Sequence, residues 1–355
     1  MVVVQSLEYL VDLGLRVAAA GLECLRHLVE QQQADRALGG QRRDPAIPDE
    51  RAQPVGKIYE GCVHRHDYGA AAHRAIARSS GAGLRDVIDG TVSRVGTYGD
   101  DLRFAHVLAD AADDITTRRF RALDLRVETK PDLTPVSDAD RATEDSLRNV
   151  LRRARPRDAV VGEESGQTGV GPRRWVIDPI DGTKNYVRGV PVWATLIGLM
   201  DGPEVVVGVV SAPALSRRWW AASGGGAWTG RSLTKASRLQ VSGVTNLSDA
   251  SFSYSGIGGW AQKDLLGGFM GLAKSVWRTR AFGDFWSHML VAEGAVDISA
   301  EPEVSLWDLA ALQIIVEEAG GRFTDLSGVA TPEGGSVVCT NGHLHDEVLA
   351  QLTKP

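Results

Sequence analysis

Acidic residues in this chain stand where apolar runs end. The clearest case is Trp175-Val-Ile-Asp178-Pro-Ile180-Asp181-Gly182-Thr183-Lys-Asn185, an apolar strand that meets an acidic turn. Proline fixes φ and has no N–H for a sheet ladder. The spacing therefore predicts a bend at Pro179 that lets Asp178 and Asp181 converge and frees the Ile180 carbonyl. Gly182 and Thr183 open the next segment, where backbone N–H groups can hold an anion. Two carboxylates plus a carbonyl make a hard, oxygen-only donor set of the kind Mg²⁺ takes. Asp-Pro and Asp-Gly are also ordinary turn dipeptides, so this segment alone reads equally well as a turn.

Two further acidic positions change that balance. Glu163-Glu164 follows Val160, Val161 and Gly162, and by itself reads as a solvated loop. Asp308 lies in the first turn of a helix that is apolar nearly all round and ends at Gly320-Gly321. A first-turn Asp suits the helix dipole, but a carboxylate on a buried helix needs a partner, and a metal would be one. Together Asp178, Asp181, Glu163 and Asp308 carry enough anionic oxygen for two divalent cations about 3.5–4 Å apart, the arrangement of phosphoryl hydrolysis.

The elements that must position these groups follow from hydrophobic spacing. Helices are expected near 101–121, 138–152, 262–274, 284–293, 306–319 and 344–353. The second is capped by Ser137 with Asp140 three residues on. Short strands are expected at 160–161, 175–177, 192–199, 205–210 and 218–222, then near 250–254, 276–282, 295–299, 321–325 and 336–339. Strands and helices alternate irregularly, which predicts a layered α/β or α+β fold rather than a regular barrel.

Composition sets the outer bounds. The chain has 355 residues and a net charge of −6, which argues against a nucleic-acid binder. Cys24, Cys62 and Cys339 form neither a disulfide framework nor a zinc set, so a cytoplasmic location is expected. No run reaches the roughly 18 apolar residues of a membrane span. All nine Trp and all seven Phe lie after residue 98. The expectation is therefore an N-terminal extension over 1–98, helical in spacing over 2–38 and linker-like over 39–98, before a catalytic domain at 99–355. The plainer reading of the extension is that the translation start lies near residue 98; the other is a docking or regulatory segment.

At this point the motifs resemble the inositol-monophosphatase superfamily of metal-dependent, lithium-sensitive phosphatases. The matching blocks are Asp178 to Thr183 followed by Asn185, then Trp307-Asp308-Leu-Ala-Ala with Ala319-Gly320-Gly321, then Gly162 to Ser165, and Asp132 to Asp138 upstream. Arg280-Ala-Phe-Gly283-Asp284-Phe285, Ser211-Ala-Pro213 and Arg218-Trp219-Trp220-Ala221 are similar to its histidinol-phosphate phosphatase branch. The resemblance implies an α-β-α-β-α layered sugar-phosphatase fold, a homodimer, and two Mg²⁺ ions. Glu163, Asp178 and the Ile180 carbonyl would hold the first ion; Asp178, Asp181 and Asp308 would hold the second. A third, weaker ion would use Glu163 with waters. Gly182 and Thr183 would donate N–H bonds to phosphate, and Thr183 with Asp138 and Glu163 would prepare the attacking water. Asp284 and Glu301, with Asp181, would hold the substrate, and the two carboxylates Asp284 and Glu301 suit an ammonium. His288 is expected to be a packed core histidine. The implied reaction is hydrolysis of L-histidinol phosphate. Inositol-1-phosphate, fructose-1,6-bisphosphate and phosphoadenosine phosphate are the alternatives within the class, and a metal-free binding protein is the alternative outside it.

Overall fold

The computed structural model describes residues 97–131 and 133–354. The expected helical stretch at 2–38, nearly all of the linker at 39–98, and Asp132 lie outside the described residues. The first helix, α1 (Gly99–Arg119), leads into a small hairpin of β1 (Val127–Thr129) and β2 (Pro135–Ser137). Helix α2 (Asp138–Ala154) follows at once, and its capping box joins Ser137 to Asp140 as the sequence predicts.

Eight strands then form one mixed sheet: β3 (Ala159–Gly162), β4 (Gly166–Thr168), β5 (Arg173–Asp181), β6 (Ala194–Asp201), β7 (Glu204–Ala212), β8 (Arg217–Ala222), β9 (Ala227–Ser232) and β10 (Lys235–Arg238). Their order is β10-β9-β8-β7-β6-β5-β3-β4. The short helix α3 (Thr183–Val187) leaves the end of β5. A second sheet holds β11 (Ser251–Ser253), β12 (Arg278–Arg280), β13 (Ile298–Glu301), β14 (Arg322–Thr324) and β15 (Val337–Thr340), in the order β12-β11-β13-β15-β14. The remaining helices are α4 (Gly258–Gln262), α5 (Leu266–Ser275), α6 (Asp284–Ala292), α7 (Leu306–Glu318) and α8 (His345–Leu352).

The layers read α-β-α-β-α, as the resemblance implies. Leu108, Ala112, Leu147 and Leu151 of α1 and α2 cover one face of the large sheet, against Trp175, Ile177, Ile197 and Val209. Helices α6 and α7 fill the space between the sheets: Met289, Leu312 and Ile315 share one buried cluster with Leu196 and Val210 of the large sheet and Val337 and Cys339 of the small one. Phe269, Leu272, Val348 and Leu352 of α5 and α8 close the far face of the small sheet. His288 is buried in the central layer, in line with a packing role.

Helix α7 lies unusually close to the large sheet, because Gly198 and Gly208 pair directly across β6 and β7 beneath it. A Cβ on Gly208 would stand 2.5 Å from the Ala311 carbonyl oxygen, and one on Gly198 would stand 2.9 Å from Ala310 Cβ. That close approach brings the first turn of α7 down to the end of β5. Several details differ from the expected elements, among them β4 and α3, which the spacing does not show. The β1–β2 hairpin and β9–β10 carry weak alternation and short runs, so spacing alone misses them. The helix expected at 262–274 is two helices, broken where Asp264 takes φ 58°. And β5 does not end at Pro179 but runs through it to Asp181.

Candidate active site

The end of β5 explains how two aspartates three residues apart share one face. In a regular strand, positions i and i+3 point to opposite sides. Here Asp178 pairs with Leu196 and Asp181 with Ala194, so three steps on β5 match two on β6. This one-residue bulge absorbs Pro179 and turns Asp181 back toward Asp178. The Pro179 carbonyl is satisfied by the Thr195 hydroxyl at 2.8 Å, and Asp178 Oδ1 accepts from the Ile180 N–H at 2.9 Å. Gly182 follows at φ 82°, and a Cβ there would lie 2.9 Å from the Val192 carbonyl oxygen.

Asp308 meets this strand end from α7. One of its oxygens takes the Ser305 N–H at 2.7 Å, so it caps its helix while still facing the aspartates. Carboxylate oxygens of Asp178, Asp181 and Asp308 all lie within 4.8 Å of one another. Burial, then the neighbouring negative charges, pushes Asp178 and Asp181 well above the usual carboxylate range. Burial likewise pushes Asp308 up to about 7. Three carboxylates at this spacing, Asp178 buried and Asp181 and Asp308 half-buried, repel one another unless a cation or protons intervene. The donor set is oxygen only, and it fits Mg²⁺.

Glu163 stands just outside that trio. Its charge contributes to the raised values of Asp178 and Asp308, but its Oε1 accepts from Lys130 Nζ at 2.7 Å. Its loop is held from below by Glu144, which is fully buried and accepts the N–H groups of Glu164 at 2.7 Å and Ser165 at 3.0 Å. The Arg148 guanidinium neutralises Glu144 at 2.7 Å.

Thr183 and Asp138, expected to prepare the attacking water together, are not hydrogen-bonded to each other. Asp138 sits at the first position of α2, and its Oδ2 is engaged by Arg119 at 2.7 Å. The residue that reaches Thr183 is Asp140, two residues on along α2 and fully buried. Thr183 Oγ1 lies 2.9 Å from the Ile180 carbonyl oxygen and 3.3 Å from Asp140 Oδ1. The other Asp140 oxygen caps the helix through the Ser137 N–H at 2.8 Å. Sequence reading assigns Asp140 to the cap alone; the carboxylate has two oxygens and does both tasks. Glu144 is four residues after Asp140, one turn along the same helix face, and that spacing is the signal that could have found it. Nothing in the sequence around Lys130 points to Glu163.

Asp284 and Glu301 come together on the side of the small sheet. Asp284 opens α6 at φ 49°, with its N–H on the Ser255 hydroxyl at 2.8 Å and its Oδ2 accepting from Asn185 Nδ2 at 2.9 Å. Glu301 ends β13 and accepts the Ser255 N–H at 2.5 Å. Ser255 thus ties the two carboxylates to one backbone position. Burial pushes Glu301 up to about 8, with the Asp284 charge adding to it. The next amide, Phe285 N–H, donates to Asp181 Oδ2 at 2.7 Å and joins this wall to the aspartate trio.

With that geometry in place, comparison with known proteins is informative. Residues 100–354 match the inositol monophosphatase family. The chain is 65% identical over 261 residues to a histidinol-phosphatase of Streptomyces coelicolor, a match covering 72% of this chain and 98% of the relative. It is 61% identical over 254 residues to a histidinol-phosphatase of Mycobacterium tuberculosis, covering 71% and 98%. The structure also resembles an inositol monophosphatase from Zymomonas mobilis, with a TM-score of 0.65, 30% identity, and coverage of 73% of this chain and all of that one.

Proposed function

We propose that this chain, which belongs to the inositol monophosphatase family, hydrolyses L-histidinol phosphate to L-histidinol and inorganic phosphate. The observation that carries the chemistry is the trio of Asp178, Asp181 and Asp308 at the bulged end of β5. Asp178, Asp181 and Asp308 would hold one Mg²⁺, and Glu163, Asp178 and the Ile180 carbonyl would hold another. Bound Mg²⁺ supplies positive charge to the phosphate oxygens and makes water a nucleophile near neutral pH. The backbone of Gly182 and Thr183, which follows Asp181 directly, would receive the phosphate. Water attacks phosphorus as the ester P–O bond breaks, and the departing alkoxide takes a proton from solvent water to leave as L-histidinol. Thr183, backed by Asp140 at 3.3 Å, orients that water and passes its proton inward. Asp140 replaces Asp138 in this role.

The alcohol side supports the choice of substrate. Asp284 and Glu301, joined through Ser255, offer two carboxylates to an ammonium, which histidinol has and inositol lacks. The relatives at 61–65% identity bear the name histidinol-phosphatase. The working form in this reading is a cytoplasmic homodimer; among the described residues no helix is long and apolar enough to cross a membrane.

A phosphate-release panel with Mg²⁺ tests the proposal. L-histidinol phosphate is expected to give a higher kcat/KM than inositol-1-phosphate, fructose-1,6-bisphosphate or phosphoadenosine phosphate. Preference for inositol-1-phosphate would remove the substrate assignment and leave the phosphatase reading. Release from none of them would favour a binding protein.

A further inference from the structure

Three successive amides at the start of α6 go to three different side chains. Phe285 N–H donates to Asp181 of the aspartate trio and Asp284 N–H to the Ser255 hydroxyl. The first of them, Gly283 N–H, donates to the Ser287 hydroxyl at 3.0 Å, one turn along the same helix. Ser287 returns its own N–H to the Gly283 carbonyl at 3.3 Å, and its hydroxyl shares a second hydrogen bond with the Ser253 hydroxyl at 2.7 Å. Both serines are fully buried. Their neighbours along α6, Phe285, Met289 and Val291, belong to the apolar central layer. A hydroxyl in such a layer costs stability unless it is paired, so a serine there needs a reason that packing does not supply.

The backbone it holds supplies one. Gly283 stands at φ 84° and Asp284 at φ 49°, two consecutive residues in the left-handed region. An aspartate there is unfavourable and persists where its surroundings over-determine it. Fixing the Gly283 amide fixes the direction in which the chain enters Asp284, and so where the carboxylate points. Ser253, the last residue of β11, grips this turn through Ser287, and Ser255, two residues on, grips Asp284 directly. The Ser287 hydroxyl is occupied by Gly283 and Ser253, so it acts on the site only through the turn.

We propose that Ser287, backed by Ser253, is a positioning residue for substrate choice: it aims Asp284 at the alcohol end of the substrate. The inference rests on the reading above that Asp284 receives the ammonium of histidinol phosphate. Without the Ser287 hydroxyl the Gly283 amide loses its acceptor and the left-handed pair relaxes, while the Asp284 charge stays. Phe285 remains on Asp181, its ring edge-on to Trp219 at 6.0 Å between centroids, so the phosphate side is held.

Steady-state kinetics of the full chain with Mg²⁺, on L-histidinol phosphate and on inositol-1-phosphate, test this. Ser287→Ala is expected to raise KM for histidinol phosphate about tenfold, with kcat within about twofold and inositol-1-phosphate kinetics unchanged. In an Asp284→Asn background the same substitution is expected to leave KM unchanged, because the group it aims is gone. A serine that only stabilised the fold would lower the melting temperature and slow both substrates alike; that result, or a tenfold effect that persists beside Asp284→Asn, overturns the proposal. If Ser287→Ala does not fold, Ser253→Ala takes its place: it keeps the acceptor of Gly283 but frees the Ser287 hydroxyl. A few-fold rise in KM confined to histidinol phosphate then supports the proposal, and no change overturns it. The wild type separates this from the substrate reading. If it does not prefer histidinol phosphate, that reading falls and takes the aiming role with it. If it does and the serine variants prefer it equally, the aiming role alone falls.

Discussion

The carboxylates assigned to the phosphate side hang from β5 and α7, two elements buried on both faces, whereas those assigned to the alcohol side hang from the first residue of α6 and the end of a four-residue strand. The first group is fixed by packing: α7 rests on the Gly198–Gly208 floor, and the β5 bulge is locked by Thr195. The second group is fixed by single hydrogen bonds through Ser255 and Asn185. A wall built on the core must serve every substrate alike, and a wall built on short polar links can change between substrates without unfolding the chain. The two walls should therefore answer differently to mutation, and that difference is measurable.

The largest effect is expected on the phosphate side. Asp178→Asn keeps the side-chain volume and removes anionic ligation at the centre of the trio. Turnover should fall by at least about 10²-fold, the scale of losing a key transition-state stabiliser, and by the same factor for every phosphomonoester tried. Steady-state kinetics in saturating Mg²⁺, with circular dichroism to verify the fold, check this. A loss confined to histidinol phosphate would erase the distinction between the walls.

The same contrast governs what could be read from sequence. Helices α1, α2, α6, α7 and α8 and most strands of both sheets follow from spacing, because burial writes a period into the residues it covers. Asp178, Asp181 and Asp308 stand out because each interrupts such a period, and the structure groups those three. What spacing cannot show is how the bulge at Pro179 corrects the facing of Asp181, or that Asp140 rather than Asp138 turns toward Thr183. Both depend on how the backbone rotates between two nearby aspartates, which residues of the same type do not encode. Glu144 shows only as the residue one turn after Asp140, and Ser255 ties the alcohol-side carboxylates through its own N–H and hydroxyl with no spacing that marks it.

Asp284→Asn probes the other wall. A partly buried ammonium–carboxylate contact is worth about 1.5–3 kcal/mol, or roughly one to two decades in kcat/KM. The loss is expected for histidinol phosphate, with inositol-1-phosphate changed far less. Equal losses on both substrates would mean that Asp284 acts mainly on Asp181 through the shared α6 amide. The comparison would then have to be redrawn with Asp284 on the phosphate side.

A smaller effect is expected at the support of Glu163. Glu144→Ala leaves the Glu164 and Ser165 N–H groups and Arg148 without their buried acceptor. Unsatisfied buried groups cost about 1–3 kcal/mol each, so the melting temperature should drop. Activity should fall several-fold for all substrates in step, because Glu163 is displaced rather than removed. A stability loss with undiminished kcat would show that the loop does not need this anchor for catalysis.

The smallest effect is a slope in pH. Burial raises Glu301 from 4.5 to about 8, so the folded chain holds this proton where the unfolded chain has released it. The sign follows from that difference: the stabilisation is fully present below pH 4.5 and is lost as pH rises through about 8. Glu301→Gln cannot ionise, so its thermal stability should fall less than that of the wild type between pH 5 and 9. The catalytic slope runs the other way, because an ammonium is attracted by the ionised carboxylate. The kcat/KM of the wild type for histidinol phosphate should climb toward pH 8 more steeply than that of Glu301→Gln, while the two profiles for inositol-1-phosphate stay parallel. Parallel profiles for both substrates would remove Glu301 from ammonium recognition and leave Asp284 as the alcohol-side carboxylate.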